Sequence, residues 1–183
     1  MISKIVIGIG IACISFLLCM LRHRRRKQIQ KRNQAAFDII KEEALCNALV
    51  NPVLDEKQED QVQDKRYHLE DRQMLQLVTI QAKKKVNYIF SLEKIITFGR
   101  NPKTSDVCLK DPMVSGIHCT IFKNQQTVWI KDMGSSNGTI IKRKGNYCVL
   151  GNEEAIELKN KDLLQIGEVT FRIELFFINK RYL

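Results

Sequence analysis

The residues of this chain most able to do chemistry fall in three short motifs between positions 99 and 138: Gly99-Arg100, Ser115-Gly116-Ile117-His118 and Ser136-Asn137-Gly138. An arginine offers a planar fork that can grip two oxygens of one anion at once, which a lysine cannot. A phosphate ester carries nearly two negative charges and several acceptor oxygens, so a site for it must supply converging donors. Each motif also has a plain structural reading. A lone arginine after a strand is usually a solvated charge. Asn137-Gly138 between apolar runs is by itself a hairpin signal, because both residues tolerate positive φ. Gly99 can serve backbone shape alone, and a lone histidine such as His118 is more often a satisfied core residue than a ligand.

Enzyme chemistry finds little to work with. No Gly-x-x-x-x-Gly-Lys-Ser/Thr loop exists, and the run from Gly134 to Gly138 lacks the lysine that a nucleotide needs. His118 and Cys119 are adjacent and point to opposite faces of a strand, so they cannot ligate one metal together. His23, His68 and His118 have no serine or carboxylate partner at motif spacing. The expectation is no catalysis, no cofactor and no metal.

Taken together and in order, with Phe98 before Gly99, Asp106-Val107-Cys108-Leu109 and Asp111-Pro112-Met113-Val114 between, and Asp132-Met133-Gly134-Ser135 ahead of Ser136, these motifs resemble the forkhead-associated (FHA) domain. In that family a Gly-Arg pair, a Ser-x-x-His and a Ser/Thr-Asn-Gly sit at the tips of a β-sandwich and bind phosphothreonine peptides through charge-assisted hydrogen bonds. The resemblance covers about residues 75–178 and implies about eleven strands in two sheets. It implies that Arg100 and Ser115 bind the phosphate, that Ser136 adds a hydroxyl, and that Asn137 holds the ligand's main chain beside the phosphothreonine. His118 is then a brace between loops, with Gly99 and Gly138 as structural members of the motif. A small apolar pocket for the threonine γ-methyl accounts for the family's preference over serine. Met113 lies in the loop that reads the third residue beyond the phosphothreonine, and its side chain suggests an apolar preference there. Gly116 departs from the pattern, since many FHA domains carry an amide or basic side chain at this place. A side-chain donor is lost, although a glycine amide can still point at an anion.

The elements that must position these residues are strands. After Gln73 the chain turns to short runs rich in Val, Ile, Phe, Tyr and Trp, with candidates at 75–80, 86–92, 94–98, 118–123, 127–131, 138–142, 155–158, 162–166 and 169–177. Runs of this length spaced by turns point to an all-β, two-sheet β-sandwich over 74–178, with a short tail at 179–183.

The N-terminal part is of another kind. Residues 5–21 contain no charge and make a helix of about 25 Å, long enough to cross a bilayer with help from Lys4 and Arg22 at its ends. The following Arg22, Arg24, Arg25, Arg26 and Lys27 replace the small-residue site that a cleaved signal requires, and against a lone Lys4 in residues 1–4 they place the C-terminal part in the cytoplasm. The same cluster can attract anionic lipid. Over 28–50, Phe37, Ile40, Ala44 and Ala48 recur at helical spacing, which predicts a juxtamembrane helix within 22–50, ended by Asn51-Pro52. Residues 51–73 read as a charged, solvated linker on which the domain can move.

Composition bounds the rest. A chain of 183 residues, 44% of them hydrophobic, holds one ordinary domain plus extensions. The net charge of +10 sits largely in the runs 22–27 and 83–85, without interleaved aromatics, and so does not predict nucleic-acid binding. Six cysteines without a Cys-x-x-Cys pair suggest no disulfide framework. The sequence thus reads as a single-pass membrane adaptor whose cytoplasmic FHA-like domain binds threonine-phosphorylated proteins in trans, in Ser/Thr kinase signalling. The rival reading is a phosphate-independent FHA-like scaffold in a membrane complex.

Overall fold

In the computed structural model, residues 2–50, 72–80, 85–151 and 153–178 are described, with 2–12 and 44–50 of the first segment described by backbone alone. Alternating apolar positions form eleven strands: β1 (Gln73–Ile80), β2 (Asn87–Ser91), β3 (Ile96–Gly99), β4 (Val107–Cys108), β5 (Cys119–Asn124), β6 (Thr127–Asp132), β7 (Thr139–Arg143), β8 (Asn146–Leu150), β9 (Ala155–Glu157), β10 (Leu163–Ile166) and β11 (Val169–Phe177). They build a six-stranded sheet in the order β2-β1-β11-β10-β7-β8 and a five-stranded sheet in the order β4-β3-β5-β6-β9. The expected sandwich is therefore present. Nine of its strands follow the sequence runs within two residues at each end. Two are additional: β4 is only two residues long, and β8 follows a Lys144-Gly145 turn that carries no strong hairpin signal.

Between the sheets lies one core, in which Phe98 and Phe171 meet edge to face at 6.2 Å and Leu75, Leu77, Ile121, Ile130, Leu164 and Ile173 are fully buried. Truncating either phenylalanine to alanine would cost about 3 to 5 kcal/mol. Asn137-Gly138 does not turn a hairpin. Strands β6 and β7 belong to different sheets, so this pair carries the chain across the sandwich.

Ahead of the sandwich is one continuous helix, α1 (Ile2–Val50), where the sequence suggested two. Nothing between Leu21 and Gln28 interrupts it, because Arg, His and Lys all continue a helix and no Gly or Pro intervenes. At 1.5 Å per residue it is about 73 Å long. Among the described residues, no helix is long and apolar enough to cross a membrane. The linker expected at 51–73 lies outside the described residues up to position 71, and Gln73 already belongs to β1.

The sandwich does not hang free of this helix. On the outer face of the six-stranded sheet, Ala36 and Ile40 pack with Met74, Ile89, Phe176 and Ile178. The Arg32 guanidinium stacks 4.0 Å from the centre of the Phe176 ring and pairs with Glu174 at 3.6 Å. Glu43 reaches Lys94 at 3.3 Å and Arg72 at 3.9 Å. The helix thus crosses β2, β1 and β11 near the end of the sandwich where β1 begins.

Candidate functional site

The site stands at the opposite end, where β3 runs into the loop to β4, where β4 gives way to β5, and where β6 crosses to β7. Gly99 closes β3 because the carbonyl of Gly116 packs where a side chain would begin, with Ser105 Oγ 2.6 Å from the same point. That close approach lets the two loops bond. Arg100 N–H donates to the Ser115 carbonyl at 2.9 Å, and Asn101 N–H to the Gly116 carbonyl at 3.2 Å. The main chain of Arg100 is thereby fixed while its side chain stays exposed, making no ion pair among the described residues.

Ser115 and Ser136 lie 21 positions apart in sequence and meet here, with Ser136 N–H donating to Ser115 Oγ at 3.2 Å. Asn137 Nδ2 donates to the Met113 carbonyl at 2.8 Å, tying the third loop to the second. Arg100, Ser115, Gly116, Ser136 and Asn137 are therefore brought to one mouth. Three large apolar side chains surround it: Met113, Ile117 and Met133 are 48%, 45% and 41% exposed. The sequence singled out only Met113 of these. At Gly116 a Cβ would meet nothing within 4 Å, and its φ lies outside the left-handed region.

His118 is fully buried and braces the loops from below. Its Nδ1 accepts from Ser115 N–H at 3.2 Å, and its Nε2 faces the Gly138 carbonyl at 3.2 Å. Only the neutral tautomer with the proton on Nε2 satisfies both partners. Gly138 takes φ +74 with the Leu150 carbonyl 2.8 Å from its missing Cβ, so glycine alone fits there.

Two carboxylates complete the bracing, and sequence reasoning missed their role. Asp132, fully buried, accepts from Ser135 N–H at 2.8 Å, Ser135 Oγ at 2.7 Å and Thr139 Oγ1 at 2.7 Å. Burial pushes its pKa up, but the Thr139 and Ser135 donors together outweigh that and hold it below the ordinary carboxylate value. Asp111 accepts from Glu168 N–H and from Met113 N–H, both at 2.8 Å, and these bonds likewise hold its pKa down. One links the loop between β4 and β5 to the β10–β11 turn, and the other shapes the start of that loop. Burial pushes the Cys119 thiol well up, leaving it an inert core group.

The arrangement offers a forked cation, a hydroxyl, an amide side chain and free loop backbone on one convex rim. It has the donors for a doubly charged ester. The family model of the FHA domain matches residues 96–167. A probable serine/threonine-protein kinase of Dictyostelium discoideum is 55% identical over 38 residues, which is 21% of this chain and 5% of that protein. An FHA domain-containing protein of Arabidopsis thaliana is 31% identical over 84 residues, 46% of this chain and 21% of its own length. The chain spans about a fifth or less of these relatives. Among solved structures, the FHA domain of a Chlamydia trachomatis protein aligns with 25% identity and a TM-score of 0.46, covering 56% of this chain and 96% of that one. The part of the sandwich over residues 96–167, which carries Arg100, Ser115, Ser136 and Asn137, thus matches the FHA domain family.

Proposed function

We propose that this chain is a membrane-anchored adaptor, not an enzyme, whose FHA domain binds phosphothreonine-bearing proteins on the cytoplasmic side in a Ser/Thr kinase pathway. The observation that carries the binding role is Arg100. Its guanidinium has no carboxylate partner among the described residues, and its backbone is fixed to the Ser115 carbonyl, on the loop to which Ser136 and Asn137 are tied. A surface arginine held this way costs nothing to recruit, since no ion pair must break first. The ligand comes in trans, because residues 22–73 and 174–183 contain no serine or threonine that could occupy the site from within.

Support for anchoring comes from the start of α1. Ile14, Phe16, Leu17, Leu18 and Leu21 are between 48% and 69% exposed and lie on a broad apolar face of the helix that nothing covers among the described residues. The arginine cluster then sets the domain inside. Reaction of an engineered linker cysteine with an impermeant reagent on intact cells would contradict that orientation. A phosphothreonine peptide library, compared with its unphosphorylated copy, tests the binding role: selective capture of phosphopeptides supports it, and equal capture of both favours a phosphate-independent scaffold.

A further inference from the structure

The outer face of the six-stranded sheet has two halves. Helix α1 covers β2, β1 and β11, whereas among the described residues nothing packs on the basic far half over β10, β7 and β8. Lys142 faces Leu163 on one side and Tyr147 on the other, as cross-strand partners on this outer face. With Lys144 and Lys161 from two neighbouring turns, these residues line a shallow cavity of about 340 Å³. Tyr147 is 74% exposed. Lys142, Lys144 and Lys161 make no ion pair among the described residues, whereas the adjacent Arg143 is committed to Asp162 at 2.8 Å.

Two of these lysines sit in left-handed backbone, with φ 48 at Lys144 and φ 75 at Lys161. Turns of this kind ordinarily take Gly or Asn, so a lysine at each costs stability that the alternatives would avoid. Gln125 and Glu153 are left-handed as well, but of the four such non-glycine residues only the two lysines flank this cavity, where with Lys142 they gather three uncommitted positive charges.

We propose that this lysine surface, with Tyr147 at its edge, docks on an anionic phospholipid bilayer and orients the FHA domain there. Three further observations select a lipid surface over an acidic protein. Followed toward its N-terminus, α1 crosses β2, then β1, then β11, a direction that leads on to β10, β7 and β8. Lys27 lies five residues before Arg32, on the order of 8 Å along the axis, so the 22–27 cluster falls on the lysine side. Phenol rings such as that of Tyr147 favour the headgroup level. Finally, Lys142 and Lys144 stand at the end of β7 away from Thr139, roughly 13 Å from the peptide-binding loops. Docking through them turns Arg100, Ser115 and Asn137 toward the aqueous side, where a phosphorylated partner arrives.

The test is hydrogen exchange of the full chain on vesicles of phosphatidylcholine with and without phosphatidylserine. Amides of the β7–β8 and β9–β10 turns should slow only on the anionic vesicles, and high salt should abolish the effect. Lys144→Gly with Lys161→Gly should weaken this protection about twenty-fivefold, at about fivefold per lysine. The same double variant should melt a few degrees higher, because glycine accepts both φ values, and should bind phosphopeptide unchanged. Equal exchange on both vesicle types, or full protection in the double variant, would overturn the proposal. So would equal slowing of these amides by single-stranded RNA in place of vesicles. Flotation with pure phosphatidylcholine reads insertion of residues 5–21 separately, so failure of the anchor and failure of this surface are distinguishable.

Discussion

Replacing Gly116 by asparagine should tighten phosphopeptide binding about fivefold, and the reasoning starts from space. No atom lies within 4 Å of a Cβ at this position, and the backbone there is not left-handed, so the side chain enters without moving the loop. The Gly116 carbonyl already anchors Asn101 N–H and Ser105 Oγ, which leaves the new amide free to face the mouth. A hydrogen bond to a charged phosphate contributes about 1.5 to 3 kcal/mol, against about 0.5 to 1.5 kcal/mol for ordering the side chain. The difference is about 1 kcal/mol, or roughly fivefold in Kd. Loss of glycine's freedom in the unfolded chain should also stabilise the domain by about 0.4 to 1 kcal/mol. Fluorescence anisotropy with a labelled phosphothreonine peptide reads the first effect, and thermal unfolding reads the second. Gly116→Ala is the control, because it shares the backbone effect and lacks the donor. Equal affinity of the Asn and Ala variants, or weaker binding by Asn, would show that residue 116 does not face the phosphate.

Arg100→Ala should weaken phosphopeptide binding by a hundredfold or more, about 3 kcal/mol for a lost bidentate contact, while the melting temperature stays put because only an exposed, unpaired side chain is removed. Titration calorimetry beside a melt checks both. His118→Ala should cost about 3 kcal/mol of stability, since Ser115 N–H and the Gly138 carbonyl lose their partner in a buried site, and a denaturant midpoint equal to wild type would contradict the bracing role. Asp132 gives a pH signature. Its folded pKa lies below the unfolded value near 3.8, so its contribution is full above that value and is lost as pH falls through the folded one. Melts from neutral pH down to about pH 2 should therefore show a smaller acid loss in Asp132→Asn than in wild type.

The site's exposed half and its histidine brace were legible, and its carboxylate bracing was not. Arg100, Ser115 and Asn137 carry side chains whose donors announce an anion, at a spacing one family shares. Asp111 and Asp132 are ordinary carboxylates until folding brings Glu168, 57 positions away, and Thr139 within reach. Strand β11 was readable end to end because its alternation is long, whereas β8 was hidden behind a turn that places lysine where asparagine is usual. The helix was expected from the helical spacing of Phe37, Ile40, Ala44 and Ala48. The structure buries Asn33, Ala36 and Ile40, with Phe37 half-buried. A helical period marks an apolar face but not the surface that receives it, and here that surface is the back of the chain's own sandwich.

The most direct measurement of the central claim is a nuclear magnetic resonance titration of the full chain with one peptide in three forms, carrying phosphothreonine, phosphoserine or threonine. Saturable shifts confined to the amides of Arg100, Ser115, Gly116, Ser136 and Asn137, strongest for phosphothreonine and absent for threonine, are the predicted result. Shifts of equal size with the unphosphorylated peptide, or shifts centred elsewhere on the sandwich, would contradict it.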